Sequence, residues 1–276
     1  MDALARIRLR IVPGEQVHPH EIADATREAR ITERLRHDQI LRDPLMVGEV
    51  PDVEGYVLLD GTNRRRSLLD LGLPWVLVQV IEYANEHDVA LRTWCHSAPI
   101  PARDLAEQAE QVPGISSSRL DPLDAADALE TAGTLAVVLD QRHQYVLSRD
   151  RDVSTRAAQL RGLVDLYEHN MTRVDCVPQD VAEQVQMPSA GGKPTTLIAF
   201  PGFSRSQVLT MAMRGALIPA GITRHIILCG RVLRVNLPLE LLGESQDLDE
   251  ANHALHLHLK TLQPRLYREP TILFDS

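Results

Sequence analysis

The run Tyr56-Val57-Leu58-Leu59-Asp60-Gly61-Thr62-Asn63-Arg64-Arg65 constrains this chain more than any other stretch. An apolar, strand-length segment delivers an acidic residue, glycine permits a tight turn, and threonine is placed to cap a polar helix over Thr62–Leu71 that closes at Gly72. The first N–H groups of such a helix lack internal partners and carry about half a positive charge, so with Arg64 and Arg65 they form an anion cradle suited to phosphate. Gly61, Thr62 and Asn63 complete that cradle, and Asp60, at the carboxyl end of its strand, is placed to hold Mg²⁺ or to orient a hydroxyl. On local pattern alone, an Asp-Gly turn with a threonine cap and a solvated basic helix face explains the same residues.

The surrounding periodicity extends the unit. Arg6 to Val12 alternates arginine with aliphatics at the period of a half-buried strand before Pro13-Gly14 breaks it. Ile22–His37 has apolar residues at helical spacing, acidic early and basic late. Leu45–Val47 and Trp75–Ile81 read as strands. Strand, helix, strand, strand, helix, strand within residues 1–85 predicts a compact α+β unit. Beyond it the pattern loosens: a strand at Val89–Trp94, a helix at Pro101–Gln111, a loop at Val112–Leu123, a strand at Leu135–Leu139 and a long helix at Val153–Met171 are expected. The stretch Met187–Pro194 is the strongest break. It is followed by a strand at Thr195–Phe200, a helix at Ser204–Arg214 closed by Gly215, and an amphipathic helix near Leu248–Leu262. Gly191–Thr196 is not a Walker loop, because proline follows Lys193 and the spacing is wrong.

Composition narrows the function. The 276 residues carry 29 Lys plus Arg against 38 Asp plus Glu, a formal charge of −9, opposite to the footprint of a phosphate-backbone binder. Aromatics at 4% supply few stacking platforms for single strands. Cys95, Cys176 and Cys229 are too far apart for a knuckle or a framework built from neighbours, which reads as a reducing, cytoplasmic chain. No run approaches the roughly 20 apolar residues of a membrane span and none resembles a signal segment, so neither secretion nor a membrane partner is expected.

These motifs together resemble the ParB/sulfiredoxin-like superfamily, and more closely its free serine kinase branch. The resemblance runs through His20-Glu21, Arg42-Asp43-Pro44-Leu45-Met46-Val47, Leu59-Asp60-Gly61-Thr62-Asn63-Arg64 and Val76–Tyr83, then through Gly215–His225 and Arg231–Leu239. It implies an N-terminal ParB-like domain (1–85) that binds nucleotide phosphates and a mixed α/β substrate domain (86–276), with the active site in the cleft between them. The implied activity is phosphorylation of free L-serine by ATP or ADP with Mg²⁺, Glu21 being the general base, and O-phosphoserine feeding cysteine or 2,3-diaminopropionate and siderophore synthesis. Phosphoryl transfer needs positioning, charge neutralisation and an acceptor for the alcohol proton, which these residues can supply. Many superfamily members have histidine where Asn63 stands, and the loop lacks the cysteine of sulfiredoxins.

Thr223-Arg224-His225 offers a hydroxyl, a fork-shaped cation and an imidazole for the amino-acid substrate. On a strand, Thr223 and His225 share one face and Arg224 takes the other; a strand of solvent-facing polar residues is the plain alternative. Trp94 is a candidate pocket wall or an interdomain packing residue. Cys95-His96 suits metal or haem ligation poorly, since adjacent strand residues point apart, and His253, His256 and His258 read as a helix face. The rival function is a ParB-like nucleotide- or DNA-binding regulator without kinase activity. A kinase for threonine or homoserine also stays open, because one methyl in a pocket is worth only about 1–3 kcal/mol. The oligomeric state, including a homodimer, is open as well.

Overall fold

A computed structural model describes residues 7–120, 124–141, 143–149, 153–175, 196–243 and 247–266. The chain forms two compact units, the first from residues 1–17, 25–89 and 227–276, the second from 18–24 and 90–226. It enters the first unit through β1 (Arg8–Pro13), β2 (Val17–His18), α1 (Ala25–Asp38), β3 (Ile40–Leu41), β4 (Leu45–Glu49), β5 (Tyr56–Asp60), α2 (Thr62–Asp70) and β6 (Trp75–Glu82). It continues through β7 (Val89–Thr93), β8 (Cys95–Ala98), α3 (Ala102–Ala109), β9 (Ile115–Arg119), α4 (Ala125–Glu130), β10 (Thr134–Leu139), β11 (Gln144–Arg149), α5 (Val153–Asp165), β12 (Thr172–Val174), β13 (Thr196–Ala199), α6 (Arg205–Arg214) and β14 (Thr223–Ile227). It closes with β15 (Leu237–Pro238) and α7 (Leu248–Thr261).

In the first unit a five-stranded sheet runs in the order β1-β6-β4-β5-β2. Strand β6 is interior to the sheet, antiparallel to β1 and parallel to β4, and Val76 to Val80 are buried throughout, which is why its sequence is a nearly continuous apolar run rather than an alternation. Its one buried polar residue, Gln79, is satisfied: the side-chain amide donates to the Gly230 carbonyl at 2.7 Å and accepts from the Val232 N–H at 2.8 Å. Helix α7 covers the edge strand β1, where the Asn252 side chain accepts from Ile11 N and donates to Ile11 O, both at 2.9 Å.

The sequence reading placed everything after residue 85 in one domain, whereas residues 227–276 belong with the first unit. Val235, Leu237, Leu242, Ala251 and Leu255 share a core cluster with Ile11, Val47, Leu58, Leu68 and Val78. An apolar residue declares that it will be buried but not in which core.

The second unit carries a six-stranded antiparallel sheet in the order β12-β8-β13-β10-β11-β9, with α3, α4 and α5 packed on its strands. Strand β10 is buried along its whole length. Helix α6 starts with a capping box: Ser204 Oγ accepts from Gln207 N while the Gln207 side chain accepts from Ser204 N, and Gly215 ends it at φ 63°. The expected loop at Val112–Leu123 instead contains β9, whose residues Ile-Ser-Ser-Ser-Arg show no apolar alternation because it is an edge strand zipped onto β11 by backbone bonds. The long helix expected to Met171 stops at Asp165. The Met187–Pro194 break and Cys176 lie outside the described residues. The wide cysteine spacing does not keep Cys95 single, since it is disulfide-bonded, while Cys229 forms no disulfide; folding can bring sequence-distant thiols within bonding range. No helix among the described residues is long and apolar enough to cross a membrane.

Candidate active site

In the first unit β5 delivers Asp60 and passes directly into α2 through Gly61 at φ 106°. Gly61, not Thr62, occupies the N-cap position, and Thr62 is the first helical residue; with no side chain, Gly61 caps none of the first-turn amides. That φ lies where L side chains are strained, and a Cβ there would sit 3.1 Å from Arg64 Nη2 and 3.2 Å from Leu45 Cγ. Gly61→Ala is therefore expected to cost about 1–3 kcal/mol of stability, read as a lower urea midpoint at constant slope.

Asp60 Oδ2 accepts from Arg64 Nη2 at 3.2 Å and from Arg231 Nη1 at 2.7 Å. Burial pushes the Asp60 carboxyl up, but the two guanidiniums outweigh it and hold its pKa below the usual aspartate value. Asp60 is thus an ionised, 40% exposed carboxylate flanked by two cations. Arg231 was read above only as part of a distant motif; tertiary structure brings it to Asp60. Gln79 brackets it by holding the backbone of Gly230 and Val232. Arg64 also donates to the Pro44 carbonyl at 3.4 Å, and Asn63 lies in the first turn of α2. Arg65 does not point to the cradle in this way: its Nε donates to the Gly14 carbonyl at 3.0 Å, a contact that ties α2 to the turn after β1.

The second unit gathers Glu21, Thr223 and His225. The segment around Glu21 pairs with Ile218 as an isolated parallel bridge, with Ile22 N donating to Ile218 O and Ile218 N donating to His20 O, both at 2.9 Å. This annexation is why the helix expected from Ile22 starts only at Ala25. Glu21 Oε1 accepts from Thr223 N at 3.1 Å and from Thr223 Oγ1 at 2.5 Å; Oε2 accepts from Gly221 N at 3.3 Å. The Thr223 hydroxyl gives its proton to Glu21, so its oxygen accepts from His20 Nε2 at 2.7 Å. His20 is 2% exposed and meets the His225 ring edge-on at 5.4 Å. The expected alternation on β14 holds: Thr223 and His225 are buried, and Arg224 takes the other face. There Arg224 stacks on Trp94, its guanidinium carbon 4.1 Å from the ring centroid, and pairs with Asp175. Trp94 N also donates to Ile222 O at 2.9 Å. The hydroxyl and amide of Thr223 are thus both committed to Glu21, while Arg224 stacks on Trp94.

His96 is fully buried, and both ring nitrogens are engaged by protein groups, Nδ1 with the Tyr167 hydroxyl at 3.1 Å and Nε2 with Gly221 O at 2.9 Å. Burial, with Arg173 adding to it and the Gly221 carbonyl opposing it, lowers its pKa to about 4. On α7, His258 Nε2 bonds the Val235 carbonyl at 2.8 Å. Among the described residues, no group of three or more His, Cys, Asp or Glu is arranged to hold a metal ion by itself.

The fold is that of the free serine kinases. A free serine kinase glutamate-to-alanine variant in complex with AMP superposes with a TM-score of 0.70 at 17% identity, covering 86% of this chain and 94% of that one. SbnI with a C-terminal truncation from Staphylococcus aureus gives a TM-score of 0.67 at 19% identity, covering 92% and 96%. In sequence, the chain is similar to the ATP-dependent L-serine kinase SbnI of Staphylococcus aureus, 23% identical over 270 residues that span 97% of both chains. No protein-family model matches.

Proposed function

We propose that this protein transfers the γ-phosphoryl group of ATP to the hydroxyl of free L-serine, giving O-phospho-L-serine and ADP. The observation that carries this reading is the similarity to an ATP-dependent L-serine kinase over 97% of both chains. The site chemistry supports it. Serine Oγ attacks the γ-phosphorus, the bond to the β-phosphate oxygen breaks, and ADP leaves; Glu21 takes the hydroxyl proton. Oε1 of Glu21 is filled by Thr223, so Oε2, with one longer contact, is the lobe that receives the proton. The α2 amides, Arg64 and Arg231 meet the phosphates, and the planar guanidiniums suit phosphate oxygens bidentately. Arg224, held flat on Trp94, takes the serine carboxylate by exchanging Asp175 for it.

Magnesium binds through one or two carboxylates together with phosphates and water, and an ionised, partly exposed Asp60 beside a phosphate cradle fits as its protein ligand. Bound there, the ion would neutralise charge on the β- and γ-phosphate oxygens. The product carries a phosphate leaving group on its β-carbon, which suits a following β-replacement by sulfide or an amine, as cysteine or 2,3-diaminopropionate synthesis requires.

Phosphorus NMR of the protein with ATP, Mg²⁺ and free serine is expected to show a growing phosphoserine resonance. Threonine, homoserine and ADP in parallel tubes define acceptor and donor range. No phosphoserine from wild-type protein would remove this reading.

A further inference from the structure

We propose that His96 is a positioning residue for Glu21, acting through the backbone of Gly221. This rests on the assignment of Glu21 as the proton acceptor.

The argument begins at β8. His96 sits between β12 and β13, with Arg173 and Ile198 as its register partners, and its ring meets Phe200 edge-on at 4.9 Å and Tyr167 at 5.9 Å. The Gly221 carbonyl can only accept, so His96 Nε2 carries the proton and donates to it across 2.9 Å. The bare Nδ1 then accepts from the Tyr167 hydroxyl at 3.1 Å, which holds the ring in the tautomer that the carbonyl selects. Burial supports the assignment from both sides, favouring a neutral imidazole and a protonated phenol.

The residue whose carbonyl His96 holds presents its N–H to Glu21 Oε2, and Thr223, two positions on, presents N–H and hydroxyl to Oε1. The same stretch of chain also grips Ile222, whose carbonyl accepts from Trp94 N. Arg173 completes the clamp: its Nη2 donates to Ala220 O at 3.2 Å, and its guanidinium fills the space a Gly221 side chain would need. Gly221 takes φ 81°, a conformation open to glycine, so it depends on external bonds for its orientation. A peptide plane with one end on a buried imidazole and its neighbour's N–H on the carboxylate cannot rotate without breaking one of the two. The line Tyr167–His96–Gly221–Glu21 therefore fixes the lobe of the carboxylate that takes the proton, although His96 touches neither substrate.

The test compares His96→Phe, His96→Gln and Tyr167→Phe with wild type and with Glu21→Gln. Glutamine keeps a donor toward Gly221, phenylalanine keeps only the ring, and Tyr167→Phe removes one hydroxyl with little risk to folding. His96→Phe and Tyr167→Phe are expected to lower kcat by about tenfold to a hundredfold, the scale of a misplaced reacting group, with KM for serine and ATP unchanged, while His96→Gln recovers most of the rate. Independently of turnover, the Gly221 and Thr223 amide protons, moved downfield by the carboxylate acceptor, are expected to shift upfield in Tyr167→Phe and His96→Phe and to hold in His96→Gln. Unmoved amide resonances in both phenylalanine variants would overturn the proposal even in a protein that phosphorylates serine. Shifted resonances in a protein that does not phosphorylate serine would support it and remove the kinase reading alone.

Discussion

Glu21→Gln is expected to lower kcat for free serine by about 10²–10⁴-fold, equal to about 2.7–5.4 kcal/mol of barrier, with KM for both substrates little changed. Glutamine has nearly the shape of glutamate and leaves the bulk of the site intact. Its carbonyl can still accept from Thr223 N and Oγ1, the two shorter contacts. Its amide nitrogen must then face the Gly221 N–H, donor against donor, and it cannot take the serine proton. Losing the 3.3 Å contact costs about 1 kcal/mol of stability, too little to unfold a domain of this size. A drop in kcat with a small change in melting temperature separates chemistry from folding. Activity within a few-fold of wild type would show that another group, or water, accepts the proton, and the role of Glu21 would be withdrawn.

The second large effect is on stability in acid. Unfolded His96 binds a proton as pH falls through 6.5, its ordinary value, whereas the folded ring resists until about pH 4. Between those values the unfolded chain holds the extra proton, so stability declines as pH falls across that window and the contribution levels off below it. A gap of this size corresponds to about 3 kcal/mol, a large part of the margin of an ordinary domain. The groups facing the ring are Tyr167, uncharged here, and Arg173, whose positive charge adds to the penalty for protonation. Asp60 acts in the same sense but lower: its depressed pKa contributes stability that is present above 3.8 and is lost only in more acidic solution. Urea unfolding between pH 7.5 and 4 should therefore show a slope in wild type that is largely absent in His96→Gln, which cannot titrate. Equal slopes in the two proteins would show that the ring is hydrated or already charged.

Much of the fold was legible because local chemistry and final structure agree. The cap signal at Ser204 and the glycine at Gly215 bound α6 as expected, and the apolar run of β6 announced a strand, which the fold buries on both faces. Asp60-Gly61 was readable for the same reason, since an acid at a strand end, a glycine and a polar helix start leave few backbone solutions. Illegible elements were those whose partners lie far along the chain. Strand β9 has no pattern of its own and exists because β11 offers a ladder. Helix α1 loses its expected first turn because His20–Ile22 bonds Ile218, nearly two hundred residues on.

The candidate site divides along the same line. By itself, the sequence determined the chemistry available: an acid and a phosphate-ready turn at Asp60–Arg64, a carboxylate at Glu21, and a strand with Thr223 and His225 on one face. Only the tertiary structure decided what each touches. It brings Arg231 to Asp60, commits Arg65 to Gly14, bonds Thr223 to Glu21, and buries His20 against Thr223 and His96 against Gly221. The physical reason is that backbone propensity and turn chemistry act over a few residues, whereas hydrogen-bond satisfaction in a buried site is settled among groups that meet only when the sheets have packed.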